Sequence, residues 1–402
     1  MVNLADNRTS VAEATEAGLL SGAVTLVWHS GDVLQVNEIG HRDVEAGLPM
    51  QRDTIFRIAS MTKPVTVAAA MALVEAGKLA LTDPVSRWLP ELADMRVLVD
   101  PTGSLDNTVA ARRPITIDDL MTHRSGLAYG FSVGGPISRA YGQVSLRQDQ
   151  DHWLAEVAAL PLLHQPGERL TYSHGTEVLG IALSRIEDKP LHVVLSERIF
   201  EPLAMADTGF FIAPEARGRA ATMYRLDEAG TLQHDMMGPI PVKEPRFCQG
   251  GGGLVSTADD YLKFARMLLG AGTVDGVRVL SEESVQSMRT DRLTEEQKRQ
   301  PFLGAPFWVG RGFGLNLSVV TDPAKSAQLF GAGGLGAFSW PGAYGTWWQA
   351  DPANDLILIY LIQNYPDLNS AAAAAVAGNT SLAKLQSAQP KFVRRTYAAL
   401  GL

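Results

Sequence analysis

Residues 54–77 read TIFRIASMTKPVTVAAAMALVEAG, an extended segment that runs into a long apolar helix over about 61–77, with Gly77 as its stop signal. Ser60 falls at the junction. A serine at a helix N-terminus has its hydroxyl beside unpaired backbone N–H groups and the positive end of the helix dipole. Lys63 lies one turn on, on the same face, where it could take the serine proton if burial lowered its basicity. Ser60-Met61-Thr62-Lys63 is thus a candidate nucleophile with its base. The pattern is short: with 23 Ser and nine Lys in the chain, chance alone supplies roughly half a match. Context has to decide.

Two other serines compete. Ser381-Leu382-Ala383-Lys384 repeats the S-x-x-K spacing but follows a Gly378-Asn379 break and reads as a helix-cap region. Gly130-Phe131-Ser132-Val133-Gly134 satisfies G-x-S-x-G, yet a nucleophile elbow needs a buried strand before it and a helix directly after it. Here SGLAY leads in and Gly134-Gly135-Pro136 leads out, so the stretch reads as a Gly/Ser loop.

Outward from Ser60, GAVTLVWHSGDVLQVNEIGHRD (22–43) predicts a β-hairpin, with Val24, Leu26 and Trp28 alternating and a turn at His29–Asp32. A helix precedes it over 5–17. From 81 to 240 Pro and Gly punctuate short segments, with helical runs at 149–160 and 176–188. After 240 come a glycine run, a short strand and a helix capped by Ser256 or Thr257, then strands over 307–320 and 329–362. A closing helix, PKFVRRTYAALGL, ends the chain, and an Ala-rich tract at 371–377 reads as helix. The pattern predicts an α+β protein: a discontinuous α/β domain (1–80 and 241–402) around a mainly helical one (81–240).

The chain has 402 residues, a formal net charge of -8, and nine lysines against 26 arginines. That balance speaks against general nucleic-acid binding. No apolar run of spanning length occurs, no basic and apolar leader opens the sequence, and a cytoplasmic protein without a membrane partner is expected. A single cysteine, Cys248, rules out an internal disulfide and a multi-cysteine zinc site. It reads as an ordinary residue near the cleft. No metal-ligand spacing or phosphate loop is seen, so no metal and no cofactor is expected. Asp118/Asp119 and Asp259/Asp260 read as helix starts, and Met121–Leu127 as a structural turn. Trp347 and Trp348 are expected to divide between core and cleft by strand alternation.

Five ordered blocks carry a family resemblance: residues 54–92, ITIDDLMTHRSGL (115–127), Pro166-Gly167 with Tyr172-Ser173-His174, GGGGLVSTADDYLKFARML (250–268), and WPGAYGTWWQADPANDLILIYLIQN (340–364). Together they resemble serine β-lactamases of class C, DD-peptidases and above all bacterial family VIII esterases. The resemblance implies a class C β-lactamase-like fold with the active site between the two domains. It implies Ser60 as nucleophile, Lys63 and Tyr172 as catalytic partners, and the backbone N–H groups of Ser60 and Ala343 as oxyanion hole. Either Lys63 or Tyr172 could be the primary base. A lysine ammonium stabilises a tyrosinate, and Tyr172 could relay the proton to the leaving alkoxide and later activate water.

Two departures shape the expected substrate. His174 stands where β-lactamases have the Asn of Tyr-x-Asn. It is either a loop histidine bonded to backbone or a substrate-binding donor that titrates near neutrality. Trp340-Pro341-Gly342 stands where they have Lys-Thr-Gly. Trp340 removes the cation that would pair with a β-lactam carboxylate and offers an apolar wall for an acyl or aryl group. Pro341 suggests an edge strand or a bulge. The expected activity is hydrolysis of small neutral carboxylic esters through an acyl-enzyme on Ser60, with Trp340, Gly342 and His174 contacting substrate. β-Lactamase, D-amino-acid peptidase, acyltransferase and a silent penicillin-recognising protein are the rivals.

Overall fold

The computed structural model describes residues 3–227, 229–235, 237–365 and 380–402. Its centre is an eight-stranded antiparallel sheet. The strands in chain order are β1 (Gly22–His29), β2 (Asp32–Asp43), β3 (Leu48–Pro49), β4 (Arg311–Phe313), β5 (Ser318–Val320), β6 (Phe338–Ser339), β7 (Trp347–Asp351) and β8 (Leu356–Ile362). In space they run β4-β5-β6-β7-β8-β1-β2-β3, so the predicted hairpin β1–β2 sits beside the last long strand.

Strand alternation divides the sheet's two faces. Val24, Leu26 and Trp28 of β1 and Ile357, Ile359 and Leu361 of β8 join the main core, with the helices Thr62–Glu75 and Ala258–Leu269. Ala23 and Val27, with Leu356, Leu358, Tyr360 and Ile362, face the helices Ala5–Glu16 and Thr380–Leu400. Covering on both faces explains why β1 and β8 are apolar almost throughout.

The segment from 96 to 227 carries the helices Ile117–Met121, Gly135–Gln143, Gln150–Ala158, Gly175–Glu187 and Leu191–Leu195, with short ladders between them. Leu120, Trp153 and Leu179 from this segment belong to the same buried cluster as Val24 and Met71, so sheet and helical segment share one core.

Several local expectations change. The predicted strand run over 329–362 opens on a helix, Pro323–Phe330, capped by Asp322. Pro341 lies just past β6, which is an interior strand, so the ladder has ended before the proline instead of running along an edge. Trp348 is buried against Tyr261 and Phe264 in the main core, whereas Trp347 packs on the opposite face, so neither serves a cleft. The last helix, Thr380–Leu400 among the described residues, already runs ten residues before PKFVRR and continues through Pro390. The Ala-rich tract 371–377 and Gly378-Asn379 lie outside the described residues. Thr257 is the cap of the 258–269 helix, and Asp118/Asp119 and Asp259/Asp260 occupy first turns as expected. No helix among the described residues is long and apolar enough to cross a membrane.

Candidate active site

Ser60 sits in a 3-10 turn, Ala59–Met61, that feeds directly into the Thr62–Glu75 helix. The approach is clamped from one side. Phe56–Arg57 pairs with Val255–Ser256, Ile58 N–H donates to Leu254 O, and Tyr261 OH donates to Met61 O at 2.9 Å. Ala59 is held at φ 44°, a left-handed conformation that costs a non-glycine residue of order 1–3 kcal/mol. The surrounding contacts enforce that kink one residue before the serine.

The helix that follows is buried nearly all round, and Lys63 within it is 1% exposed. A buried ammonium survives only if its protons find acceptors. Lys63 Nζ donates to Gly251 O (2.5 Å), Tyr129 OH (3.1 Å) and Ser60 Oγ (3.3 Å). Three donors meet three acceptors, the full complement of a charged lysine. Tyr172 OH lies 2.7 Å from Ser60 Oγ, on a segment anchored by Thr171 N–H to His123 O. Lys63 and Tyr172 are therefore both gathered on the Ser60 hydroxyl.

Two residues of this cluster were not foreseen. Tyr129 OH donates to the Glu177 carboxylate, 2.8 and 2.9 Å from its two oxygens. Glu177 is 2% exposed and projects from the first turn of the Gly175–Glu187 helix. A continuous chain thus runs Lys63 to Tyr129 to Glu177, the phenol bridging a buried cation and a buried carboxylate. Burial first, then the Glu177 charge, holds the Tyr129 hydroxyl well above the usual phenol range, so it stays protonated and able to donate. The signal was present in sequence: Glu177 interrupts an otherwise apolar helix face five residues after Tyr172.

Gly251 is required where it is. A Cβ there would strike both Glu177 carboxylate oxygens, while its carbonyl is the shortest acceptor of Lys63. Gly251→Ala is expected to lower kcat/KM by about 10–100-fold by displacing the Glu177–Tyr129–Lys63 chain. Adding Glu177→Asp, one methylene shorter, should recover part of that loss. Steady-state kinetics of the single and double variants check this, and full activity in Gly251→Ala would contradict it.

Trp340 is placed differently from the expected acyl wall. It is 2% exposed and packs among Tyr172, Phe302, Phe307 and Phe313. Its indole Nε1–H points at Tyr172 OH, 3.3 Å away. The side chain is spent on Tyr172, leaving little surface for substrate. Gly342 closes on the nucleophile segment: a Cβ would collide with Ile58 O and Thr346 Oγ1, and Thr346 Oγ1 itself donates to Ile58 O. This brings the 342–345 turn, which carries Ala343, against the residues leading to Ser60.

His174 is packed among Tyr129, Tyr141 and Trp153, 4% exposed. Burial, aided by the Lys63 charge and opposed by Glu177, pushes it down to about 4, so the expected titration near neutrality does not occur. Beneath Tyr172, His123 Nδ1 and Ser173 Oγ lie 3.2 Å apart, and burial likewise lowers His123. The 121–127 turn supports the site, as expected. These histidines are neutral when folded, whereas an unfolded-chain histidine titrates near 6.5. Stability from this source is complete above about pH 6.5 and is lost as pH falls toward 4. For His174 alone the loss between pH 7 and 5 is about 2 kcal/mol. Urea unfolding at the two pH values measures it, and His174→Gln should flatten the dependence. An unchanged slope in that variant would contradict the assignment.

The competing serines are engaged elsewhere. Ser132 Oγ bonds to both the backbone N–H and the carbonyl of Tyr129, stapling a turn. Ser381 lies in the first turn of the closing helix.

A serine at a helix start with a lysine and a tyrosine at its hydroxyl, beside an antiparallel sheet flanked by helices, is the arrangement expected of a serine hydrolase of the β-lactamase fold. The chain belongs to the Beta-lactamase family, whose model matches residues 8–379. Within that superfamily it stands with the family VIII esterases. Esterase EstB of Burkholderia gladioli is 32% identical, covering 85% of this chain and 86% of its own. The solved structure of EstCE1, described as a hydrolase with promiscuous acyltransferase activity, superposes with a TM-score of 0.75 at 27% identity, covering 96% and 98% of the two chains. An uncharacterized protein of Mycobacterium tuberculosis is 69% identical over the full length of both chains.

Proposed function

We propose that the protein is a carboxylesterase that hydrolyses neutral short-chain or bulky carboxylic esters through an acyl-enzyme on Ser60. The observation that carries this reading is the position of Ser60 Oγ, 2.7 Å from Tyr172 OH and 3.3 Å from Lys63 Nζ. Lys63, with all three protons accepted, acts as a resident ammonium, and Tyr172 carries the proton. The phenolate of Tyr172 takes the Ser60 proton as Oγ attacks the ester carbonyl. Tyr172 then delivers that proton to the departing alkoxide. In the second half it takes a proton from water, hydroxide attacks the acyl carbon, and the proton returns to Ser60. Backbone N–H groups of Ser60 and Ala343 receive the carbonyl oxygen's developing charge. The cleft lies between the discontinuous α/β unit (1–80 and 241–402), which contributes Ser60, Lys63 and Trp340, and the helical unit (81–240), which contributes Tyr129, Tyr172 and Glu177.

Trp340 then serves the reaction by stabilising the Tyr172 oxygen when it is negative. Trp340→Phe keeps an apolar ring and deletes the N–H. The expected result is a drop in kcat of about 10–100-fold, the worth of a hydrogen bond to a charged group, with KM nearly unchanged. A KM effect alone would return Trp340 to substrate contact.

EstCE1's described transferase activity supports a second outcome of the same acyl-enzyme, capture by an alcohol in place of water. Parallel assays with a chromogenic acyl ester, the same ester plus an alcohol acceptor, a chromogenic cephalosporin and a D-Ala-D-Ala peptide test the proposal. Turnover of the ester well above the cephalosporin and the peptide is expected. Efficient cephalosporin turnover would favour the β-lactamase reading, and no turnover of any substrate would favour a silent binding protein.

A further inference from the structure

The fold assembles a second chemical cluster that no sequence spacing announces. His192, on the short helix Leu191–Leu195, meets Glu244 and Cys248 from the loop leading into the glycine run. One ligating atom from each of the three lies within 4.8 Å of the others. The expectation that Cys248 is an ordinary residue, and that no metal-ligand set exists, was drawn from linear spacing. His192 and Glu244 stand 52 positions apart, so no local spacing shows the set.

The local bonding is unusual for a plain ion pair. His192 Nδ1 is 3.2 Å from Glu244 Oε1, yet this buried nitrogen makes no aligned hydrogen bond among the described residues. The imidazole nitrogen and the carboxylate oxygen thus approach each other out of hydrogen-bond alignment and face one point. Phe211, edge-on to the His192 ring at 5.6 Å, fixes its orientation. Cys248 is 6% exposed and closes the inner side. The outer side opens on a cavity lined by Pro190, Leu191, Glu244, Pro245, Arg246 and Cys248, which gives water access to a fourth position.

We propose that His192, Glu244 and Cys248 form a binding site for a borderline-soft divalent cation of the zinc type, with water as fourth ligand. Nitrogen, thiolate sulfur and carboxylate oxygen are the zinc donor set, and one thiolate plus one carboxylate neutralise a dication. Magnesium and calcium, which demand oxygen ligands, do not fit a site with sulfur and imidazole. A cysteine thiol is mostly protonated at neutral pH, and only the thiolate ligates a metal. Binding forms the metal–sulfur bond and breaks the S–H bond, releasing one proton to solvent. The consequence is a tether. Cys248 is followed by Gln249, Gly250 and Gly251, and the last two carbonyls hold Thr66 and Lys63 of the nucleophile helix. An occupied site ties that loop to the 191–195 helix.

The test uses the full chain, stripped with a chelator and titrated with Zn²⁺ or Co²⁺ alone. One equivalent per chain is expected, with a near-ultraviolet thiolate-to-cobalt band and about one proton released per metal at pH 7. Cys248→Ser should lose the band and the proton release, and His192→Ala should weaken binding by about 10-fold or more. Zn²⁺ should raise the Tm of the natural protein and leave that of Cys248→Ser unmoved. The absence of stoichiometric binding to the natural protein, or a cobalt spectrum retained in Cys248→Ser, would overturn the proposal. The natural protein's own titration decides even if a variant fails to fold.

Discussion

Replacing Ser60 with alanine is expected to lower kcat/KM toward a chromogenic short-chain ester by at least roughly three to four orders of magnitude, while the protein still unfolds cooperatively on heating. Only the atom that forms the acyl bond is lost, and the chain above it remains. Lys63 keeps Gly251 O and Tyr129 OH as acceptors, and the turn keeps its clamps to Leu254 and Tyr261. Ser132→Ala, which removes a turn staple, should retain most of its activity. An active Ser60→Ala enzyme beside a dead Ser132→Ala enzyme would reverse the assignment.

The second large effect concerns Lys63 and Tyr172 as a unit. Lys63→Ala and Tyr172→Phe are each expected to cost roughly 10³-fold in kcat, and the double variant little more than either alone. The reason is geometric. Both groups lie on one hydroxyl, and in the proposed mechanism the ammonium contributes by stabilising the phenolate that takes its proton. With Tyr172 gone, the charge has no anion to serve. Lys63→Ala also strands Glu177 and Tyr129 without their buried cation, so thermal unfolding must be followed alongside the kinetics. Multiplicative losses in the double-mutant cycle would instead mean independent roles.

Much of this was legible in the chain. The 22–43 hairpin, the helix after Ser60, the cap at Thr257 and the β8 segment each have local patterns strong enough to read, because burial on both faces leaves apolar runs and caps need particular residues. Ser60 stands out as candidate nucleophile over Ser132 and Ser381 because only it combines an extended approach, a helix start and a lysine one turn on. What escaped is what depends on tertiary contact. Trp340 reads as a substrate wall from its place in the Trp-Pro-Gly block, but the aromatic residues that bury it, Phe302, Phe307 and Phe313, come from 27 to 38 positions earlier, where no periodic signal ties them to it. His174 reads as a polar donor because histidine usually is one. The aromatic cage that keeps it neutral comes from Tyr129, Tyr141 and Trp153. Tyr129 was masked by the adjacent G-x-S-x-G pattern.

Glu177 holds a broader lesson. A carboxylate on the buried face of a helix costs several kcal/mol unless it is paired. Its presence in GTEVLGIALS, a stretch otherwise fit for a core, is therefore a request for a partner somewhere in the fold. Here the partner chain ends on the lysine of the nucleophile helix. The same logic, applied to every acid in an apolar run, marks positions where a buried polar network is to be sought.

The central claim is that Ser60 carries the acyl group. Incubation of the natural protein with an aryl alkylphosphonate, which leaves a stable adduct on an activated serine, followed by digestion and mass spectrometry of the peptides, tests it most directly. The account predicts a single adduct on the peptide containing Ser60, formed in step with loss of esterase activity and absent from Tyr172→Phe on the same timescale. An adduct on the peptide containing Ser132 or Ser381, or full inactivation with Ser60 unmodified, would contradict it.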